Sequence, residues 1–507
     1  MITIEELESY LWGAAVDLRG QIDAAAYKEY IFPLVFLKRI SDVYDEEYEQ
    51  HKAEAVSMGY DDEEATIYAR TMMEESAIQI PDGAHWKDVF EQTENIGRKL
   101  VDTFTMIENA NKPTEIDGRL VGGLEGIFGD KTIWTNKNKM PDAIIRNMLN
   151  NFNRLTLSIA NCPADEMGTG YEYLIGQFAD DAGHTAQEFY TNRTVVELMA
   201  EILQLKSGES IYDPTCGSGG MLIKSLSYLR SKGEEWRDVK VYGQELNAGT
   251  SAIARMNCYL HGVNEFSIVN ADTLENPAFI ENGRVKQFDV VLANPPYSIS
   301  TWNREKFEHD KYGRCFLGCP PQRFADYAFI QHILASMKPD TGRCAILLPH
   351  GVLFRSDESS IRKNLVESDS IECIIALGHY LFFNSAMISC VMICNANKPQ
   401  ERKGKILFID AENEVTRKNA QSFLEPKHIS RMLDAYQNFS NEVGYSQVAT
   451  IDEIKNEGCK LSVSLYVNGI DEDWDDTDEA IDKWAEASLG LSKEMTLLNE
   501  YFTNGGE

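Results

Sequence analysis

The chain has 507 residues, 43% hydrophobic and 25% charged, which fits roughly two to four folded domains and excludes a disordered chain or a disulfide miniprotein. Its longest apolar runs, such as 344–349 and 373–377, are strand-length, so no membrane span is expected. The formal net charge of −32 on its face argues against nucleic-acid binding, because phosphate contacts need Lys and Arg.

The opening MITIEELESYLWG has no basic stretch followed by an apolar one, so no signal peptide is expected. Residues 1–165 carry helical periodicity and few strand signals, and predict an N-terminal α-helical domain. Within it, Tyr27 to Ile40 is apolar, and Pro33 should kink or restart a helix there. Asp42 to Glu64 holds ten acidic residues and one lysine and reads as a solvated helical face. Met140 to Leu157 reads as a further helix.

From about 166 the texture changes to short β-rich runs alternating with helix-length segments. The expected strands are Ser210 to Tyr212, Val239 to Gln244, Phe266 to Asn270, Phe288 to Ala293, Arg343 to Leu348, Ile371 to Leu377 and Ile388 to Asn395. This alternation predicts an α/β domain over 166–400 built on a seven-stranded, mostly parallel sheet. One further strand, Lys405 to Ile409, opens a C-terminal extension over 401–507 that is otherwise polar and helical. Its tail from Asp471 carries twelve acidic and two basic residues with an apolar side, suited to subunit contacts. The ten cysteines form no CxxC pair, and Cys315/Cys319 and Cys390/Cys394 have no paired histidines. No metal site is expected, and the thiols suit a reducing, cytoplasmic compartment.

The chemistry concentrates at strand ends. Ser210-Ile-Tyr-Asp-Pro-Thr-Cys-Gly-Ser-Gly-Gly220 is a strand that ends at an acid and turns through glycines into a helix. Such a turn lets backbone approach a ligand closely and aims a helix N-terminus at it. The third glycine of the dinucleotide fingerprint is missing, and no Gly-Lys-Ser/Thr follows for a P-loop. The second strand ends at Glu245, placed to grip a ribose diol, with Asn247 as the next helix's N-cap. The third ends at Asp272 and Thr273, where a carboxylate can accept from an adenine amino group. The fourth runs into Asn294-Pro295-Pro296-Tyr297. Two prolines fix φ and remove two donors. The Asn294 amide oxygen and the Pro295 carbonyl can then accept from an exocyclic amine, and Tyr297 can stack on a base.

This constellation resembles the Rossmann-like, S-adenosylmethionine-dependent amino-methyltransferases of DNA. Gln187-Glu-Phe-Tyr-Thr-Asn-Arg193 is similar to the family's upstream cofactor motif, with Asn192 where proline is usual. The resemblance narrows to the modification (M) subunits of type I restriction–modification systems, through Leu11 to Gly20, Tyr27 to Ser41, Ala325 to His332 and Leu348 to Arg355. It implies N6-adenine methylation of a base flipped out of double-stranded DNA. Asn294, Pro295, Pro296 and Tyr297 would be catalytic. Glu188, Phe189, Tyr190, Thr191, Asp213, Thr215, Gly217, Ser218, Gly219, Glu245, Asp272 and Thr273 would hold S-adenosylmethionine. It also implies a separate specificity (S) subunit, with two M per S, and a restriction (R) subunit. N4-cytosine methylation and glutamine methylation of a protein are the alternatives. After the catalytic turn, Ser298 to Arg323 is expected to be a mobile loop over the target base, with Arg304, Lys306, Lys311, Arg314 and Arg323 meeting DNA phosphates. A possible capping box at Thr194 and Glu197 completes the expectations.

Overall fold

The computed structural model describes residues 2–467 except 17, 19–21, 23–25, 117–118, 182–190, 264, 382–387 and 419–420. The acidic tail and the expected cofactor residues Glu188, Phe189 and Tyr190 lie outside the described residues. Among the described residues no helix is long and apolar enough to cross a membrane.

The N-terminal third is helical: α1 Ile4–Val16, α2 Tyr27–Ser57, α3 Asp62–Met73, α4 Trp86–Phe90, α5 Ile96–Ala110 and α6 Asp142–Phe152. Pro33 does not restart α2, which runs unbroken for 31 residues. Every residue from Tyr30 to Ser41 is buried, and that packing outweighs the roughly 3 kcal/mol cost of an internal proline. The acidic stretch behaves as a solvated face, with one exception. Asp42 is drawn inward, where it pairs with Lys38 and accepts the Leu157 N–H at 2.6 Å.

A seventh helix, α7 Ala164–Asp181, adds Met167, Tyr171, Leu174 and Phe178 to the helical core. That core also takes in Met256 and Leu260 from a helix of the α/β region, so the two regions share buried surface. Gly168 permits the approach, because a Cβ there would sit 2.2 Å from the His261 ring.

The α/β region is built on one nine-stranded sheet. We number its strands β1 Ser210–Asp213, β2 Lys240–Glu245, β3 Phe266–Asn270, β4 Val290–Ala293, β5 Arg343–Pro349, β6 Ile371–Leu377, β7 Ser389–Asn395, β8 Lys405–Ala411 and β9 Ser446–Thr450. Their spatial order is β9-β8-β6-β7-β5-β4-β1-β2-β3. Strand β7 is antiparallel to both its neighbours and β9 is antiparallel to β8, while all other pairs are parallel. The seven expected strands all form. The further strand expected at Lys405 to Ile409 also forms and joins this sheet, and one more, β9, was not expected, so the sheet has nine strands rather than seven and continues past the expected boundary at 400. The reason is visible in β8, whose Ile406, Leu407, Phe408 and Ile409 are all buried and pair with β6. The region's α-helices are α8 Arg193–Leu203, α9 Gly220–Ser231, α10 Ala248–Leu260, α11 Arg304–Glu308, α12 Asp326–Ala335, α13 Ser359–Glu367, α14 Pro426–Asn438 and α15 Ile451–Asn456.

Strands β1 and β4 are neighbours inside the sheet, with Ile211 opposite Val290 and Tyr212 opposite Val291. The chain leaves β1 toward β2 on one side and leaves β4 toward β5 on the other. That divergence opens a crevice at the carboxyl ends of the two strands, the usual ligand position in an open α/β sheet.

Candidate active site

The glycine turn after β1 and the Asn-Pro-Pro-Tyr turn after β4 open onto one cavity. Thr191, Asp213, Thr215, Gly217, Ser218 and Asn294 line it, together with Glu172 and Ile175 of α7, Arg193 and Val196 of α8, Met221 and Lys224 of α9, and Asn257 of α10. Gly219 takes φ 81° to turn the chain into α9, a conformation that suits glycine.

Asp213 is the best-buried acid of the cavity. Its Oδ1 accepts the Thr215 N–H at 2.9 Å, while Oδ2 is buried with no partner among the described residues. Burial foremost, and the Glu245 carboxylate after it, push its pKa up to about 8. Glu245 secures the turn from the next strand: Oε2 accepts the Gly217 N–H at 3.1 Å and Oε1 the Asn247 N–H at 2.7 Å.

At the end of the adjacent strand β4, Asn294 Nδ2 donates to Thr191 Oγ1 at 3.0 Å. That leaves Asn294 Oδ1 buried and without a partner among the described residues. Asn294 lines the cavity, and its amide keeps this acceptor uncommitted while Thr191 holds the donor end. Tyr297 is half-buried against the sheet core.

Some expected residues act one step removed. Asp272 does not line the cavity, since its Oδ1 accepts the N–H groups of Leu274 and Glu275, both at 2.9 Å. Thr273 is buried and donates from Oγ1 to the Pro214 carbonyl at 2.5 Å, tying the end of β3 to the glycine turn.

The segment 298–323 is not an open loop. Its ends are stapled by Ala325 N–H to the Ile299 carbonyl and by Trp302 Nε1 to the Gln322 carbonyl. Phe307 of α11 anchors a small core with Leu274, Ala328 and Phe329. Arg304, Lys306 and Arg323 stand at or near the surface, each beside a carboxylate: Glu308 at 2.9 Å, Glu275 at 3.4 Å and Asp357. Such exposed pairs hold weakly and can exchange for phosphate. Lys311 is exposed, with its ammonium over the Tyr312 ring.

Arg314 is a correction, because it cannot reach DNA from where it stands. It is 1% exposed and pairs with Asp310 at 2.7 Å. It also donates to the Thr273 and Leu274 carbonyls, both at 2.7 Å, and to His332 Nδ1 at 3.1 Å. With Nδ1 accepting, His332 has Nε2–H to meet the Tyr212 hydroxyl at 3.1 Å. Burial, reinforced by Arg314, lowers the His332 pKa and keeps the ring neutral. Arg314 thus bolts the 298–323 segment to the end of β3 and, through His332, to β1. Arg314→Met is expected to cost about 3 kcal/mol of stability, because Asp310 is left buried without its partner. Equal melting temperatures for variant and wild type would refute this.

Three features escaped the sequence reading. Asn257 is wholly buried and donates from Nδ2 to the Ser218 carbonyl at 3.0 Å, holding the turn from α10. Its signal was a polar residue on the apolar face of Ile253, Met256 and Leu260. Glu172 and Arg193, both lining the cavity, form an ion pair of 3.2 Å that joins α7 to α8. Asn192 caps α8, not Thr194: its Oδ1 accepts the Thr194 N–H at 3.0 Å. Its Nδ2 donates to the Leu381 and Ser422 carbonyls, so the departure from proline tightens this turn. Glu197 instead pairs with Lys224 at 3.3 Å.

A family model described as N-6 DNA methylase matches residues 163–475, well over half of the chain. The chain belongs to the N-6 DNA methylase family. A model of the HsdM N-terminal domain matches residues 7–152 of this methylase. The type I restriction enzyme MjaVII methylase subunit of Methanocaldococcus jannaschii is 33% identical over 494 residues, 93% of this chain and 80% of that protein. The HindI methylase subunit of Haemophilus influenzae is 29% identical over 428 residues, 81% of this chain and 90% of that protein. Among solved structures, the type I restriction-modification methyltransferase subunit of Streptococcus thermophilus superposes with a TM-score of 0.77 at 30% identity, covering 92% of this chain and 100% of that one. The methylase described here is thus a modification subunit of the type I kind.

Proposed function

We propose that this methylase transfers a methyl group from S-adenosylmethionine to N6 of an adenine swung out of double-stranded DNA. The observation that carries the reading is a pair of buried oxygens on two residues that line one cavity at the ends of adjacent strands. Asp213 Oδ2 and Asn294 Oδ1 each lack a partner among the described residues, and buried polar atoms are usually met by protein, water or a ligand.

The residues fit the cofactor. The turn of Thr215, Gly217 and Ser218 offers backbone at close range, the tip of β2 presents Glu245 to a diol, and Asp213 suits a cationic group. Bound S-adenosylmethionine supplies a methyl group already activated on a sulfonium, so the protein's work is binding, orientation and polarisation. Asn294 Oδ1 and the Pro295 carbonyl accept the two N6 hydrogens. The nitrogen lone pair is thereby turned out of the ring's conjugation toward the cavity. Tyr297 walls the base, and Pro296 stiffens the turn between them. The base must leave the duplex, because stacked N6 cannot be approached along that line. Lys306, Lys311, Arg304 and Arg323 meet the flanking phosphates. N4-cytosine methylation and protein glutamine methylation are not favoured, since the family match is to N-6 DNA methylases.

The described residues contain the chemistry, while the net charge of −32 is unfavourable for meeting DNA phosphates. Sequence choice and much of the DNA affinity therefore come from partners: one S subunit shared by two copies of this chain, and an R subunit for cleavage, assembled in the cytoplasm. Tritium from labelled cofactor is expected in N6-methyladenine when the chain is combined with its S subunit. The chain alone should bind cofactor yet methylate DNA at least about tenfold more slowly. Label in cytosine or protein would overturn the reaction, and efficient site-specific transfer by the chain alone would overturn the division of labour.

A further inference from the structure

Ser298, directly after Tyr297, has a left-handed backbone with φ 52°. A residue with a Cβ holds that conformation at a steric cost that glycine escapes. Two side chains from elsewhere in the fold hold it. Asp326, the first residue of α12, accepts the Ser298 N–H on Oδ1 at 3.0 Å. Its Oδ2 accepts from Arg355 Nη1 at 2.8 Å. Arg355 closes the ring by donating from Nη2 to Ser298 Oγ, also at 2.8 Å.

This clamp is itself fixed. Asp326 is 1% exposed. The Arg355 guanidinium lies over the Phe324 ring, 4.0 Å from its centroid. Glu358 offers Arg355 a second carboxylate at 3.4 Å, and Arg362 holds the Arg355 carbonyl at 2.9 Å. A buried ion pair is seldom the cheapest way to stabilise a core, so its position at the exit of the Asn294–Tyr297 turn calls for another role.

We propose that Asp326 and Arg355 are positioning residues for methyl transfer, which lock Ser298 in its left-handed conformation and so fix the exit of the catalytic turn. The proposal rests on the reading of Asn294–Tyr297 as that turn. β4 and Thr191 fix the entrance, the two prolines fix the middle, and this clamp fixes the end. If Ser298 relaxes to negative φ, the Tyr297–Ser298 peptide rotates and carries the Tyr297 ring with it. Misplacement on the scale of an ångström is enough to lose about a hundredfold in rate.

The test is a backbone series at 298, measured as kcat with saturating DNA and cofactor on the complex with the S subunit. Ser298→Gly should stay within about threefold of wild type, and Ser298→Val, whose branched side chain resists positive φ, should lose about tenfold or more. Asp326→Asn should lose about tenfold in kcat, with cofactor Kd and DNA KM within about threefold. Adding Ser298→Gly to Asp326→Asn should recover at least about threefold, a rescue that a general loss of packing would not give. Should Asp326→Asn lose cofactor binding, Arg355→Lys takes its place in the same pair of measurements. A Ser298→Val enzyme at the wild-type rate, or a double variant no faster than its parent, overturns the proposal. Normal transfer by Asn294→Ala would instead overturn the reading of the turn, and this proposal with it. An inert Asn294→Ala beside a flat 298 series would remove the clamp alone.

Discussion

Asn294→Ala should lower methyl transfer by about a hundredfold to a thousandfold, while cofactor binding stays within about threefold. The asymmetry follows from where the amide sits. Its Nδ2 is committed to Thr191 Oγ1 at 3.0 Å, and Oδ1 is left without a partner among the described residues. Truncation removes the acceptor aimed at the target amine but leaves Asp213, Glu245 and the glycine turn untouched. Asn294→Asp separates polarisation from shape. It keeps an acceptor and can still take a hydrogen bond from the Thr191 hydroxyl, so a smaller loss than for alanine is expected. Single-turnover rates with calorimetric cofactor titrations check both variants. Loss of transfer matched by equal loss of cofactor affinity would mean that Asn294 serves the cofactor.

Most of the sheet was legible because each strand is a short apolar run between helix-length segments. Ser446–Thr450 was missed because only Val448 and Ala449 in it are apolar and it lies at the sheet edge, where one neighbour, β8, suffices. The strand-end motifs were legible for a different reason. Asp213, Glu245 and Asn294 sit where strands stop, and a parallel sheet brings its carboxyl ends together. What was not legible is which charges are spent inside. Arg314 lies among Arg304, Lys306 and Lys311 and looks like them in sequence. It differs only because Asp310, four residues earlier, and His332, eighteen later, close around it. Spacing to a carboxylate cannot separate a surface pair from a buried one, since Arg304 and Glu308 share that same spacing. The clamp at Ser298 was hidden likewise. Asp326 and Arg355 both fell inside stretches that carried the family resemblance, but nothing in the sequence assigns them a common partner.

Asp213→Asn should move cofactor affinity and stability in opposite directions. The folded, cofactor-free protein holds the Asp213 proton up to about pH 8, chiefly because the carboxyl is buried. An unfolded chain releases it near pH 4. Between those values the folded state binds more protons, so its stability falls as pH rises, by up to about 1.4 kcal/mol per pH unit from this group alone. Asparagine does not titrate, and it keeps an oxygen for the Thr215 N–H. The variant should therefore melt several degrees above wild type at pH 8 and match it at about pH 4.5, both without cofactor. Cofactor should bind the variant at least about tenfold more weakly, because a cationic ligand gains most beside an ionised carboxylate. The same coupling predicts a proton count. In wild type at pH 7, a cation arriving beside Asp213 lowers its pKa and drives off its proton, and the variant has none to release there. Calorimetry in buffers of different ionisation enthalpy reads that difference. Equal proton release by both proteins, or a wild type as heat-stable as the variant at pH 8, would show that the buried carboxyl is not the group that trades stability for cofactor.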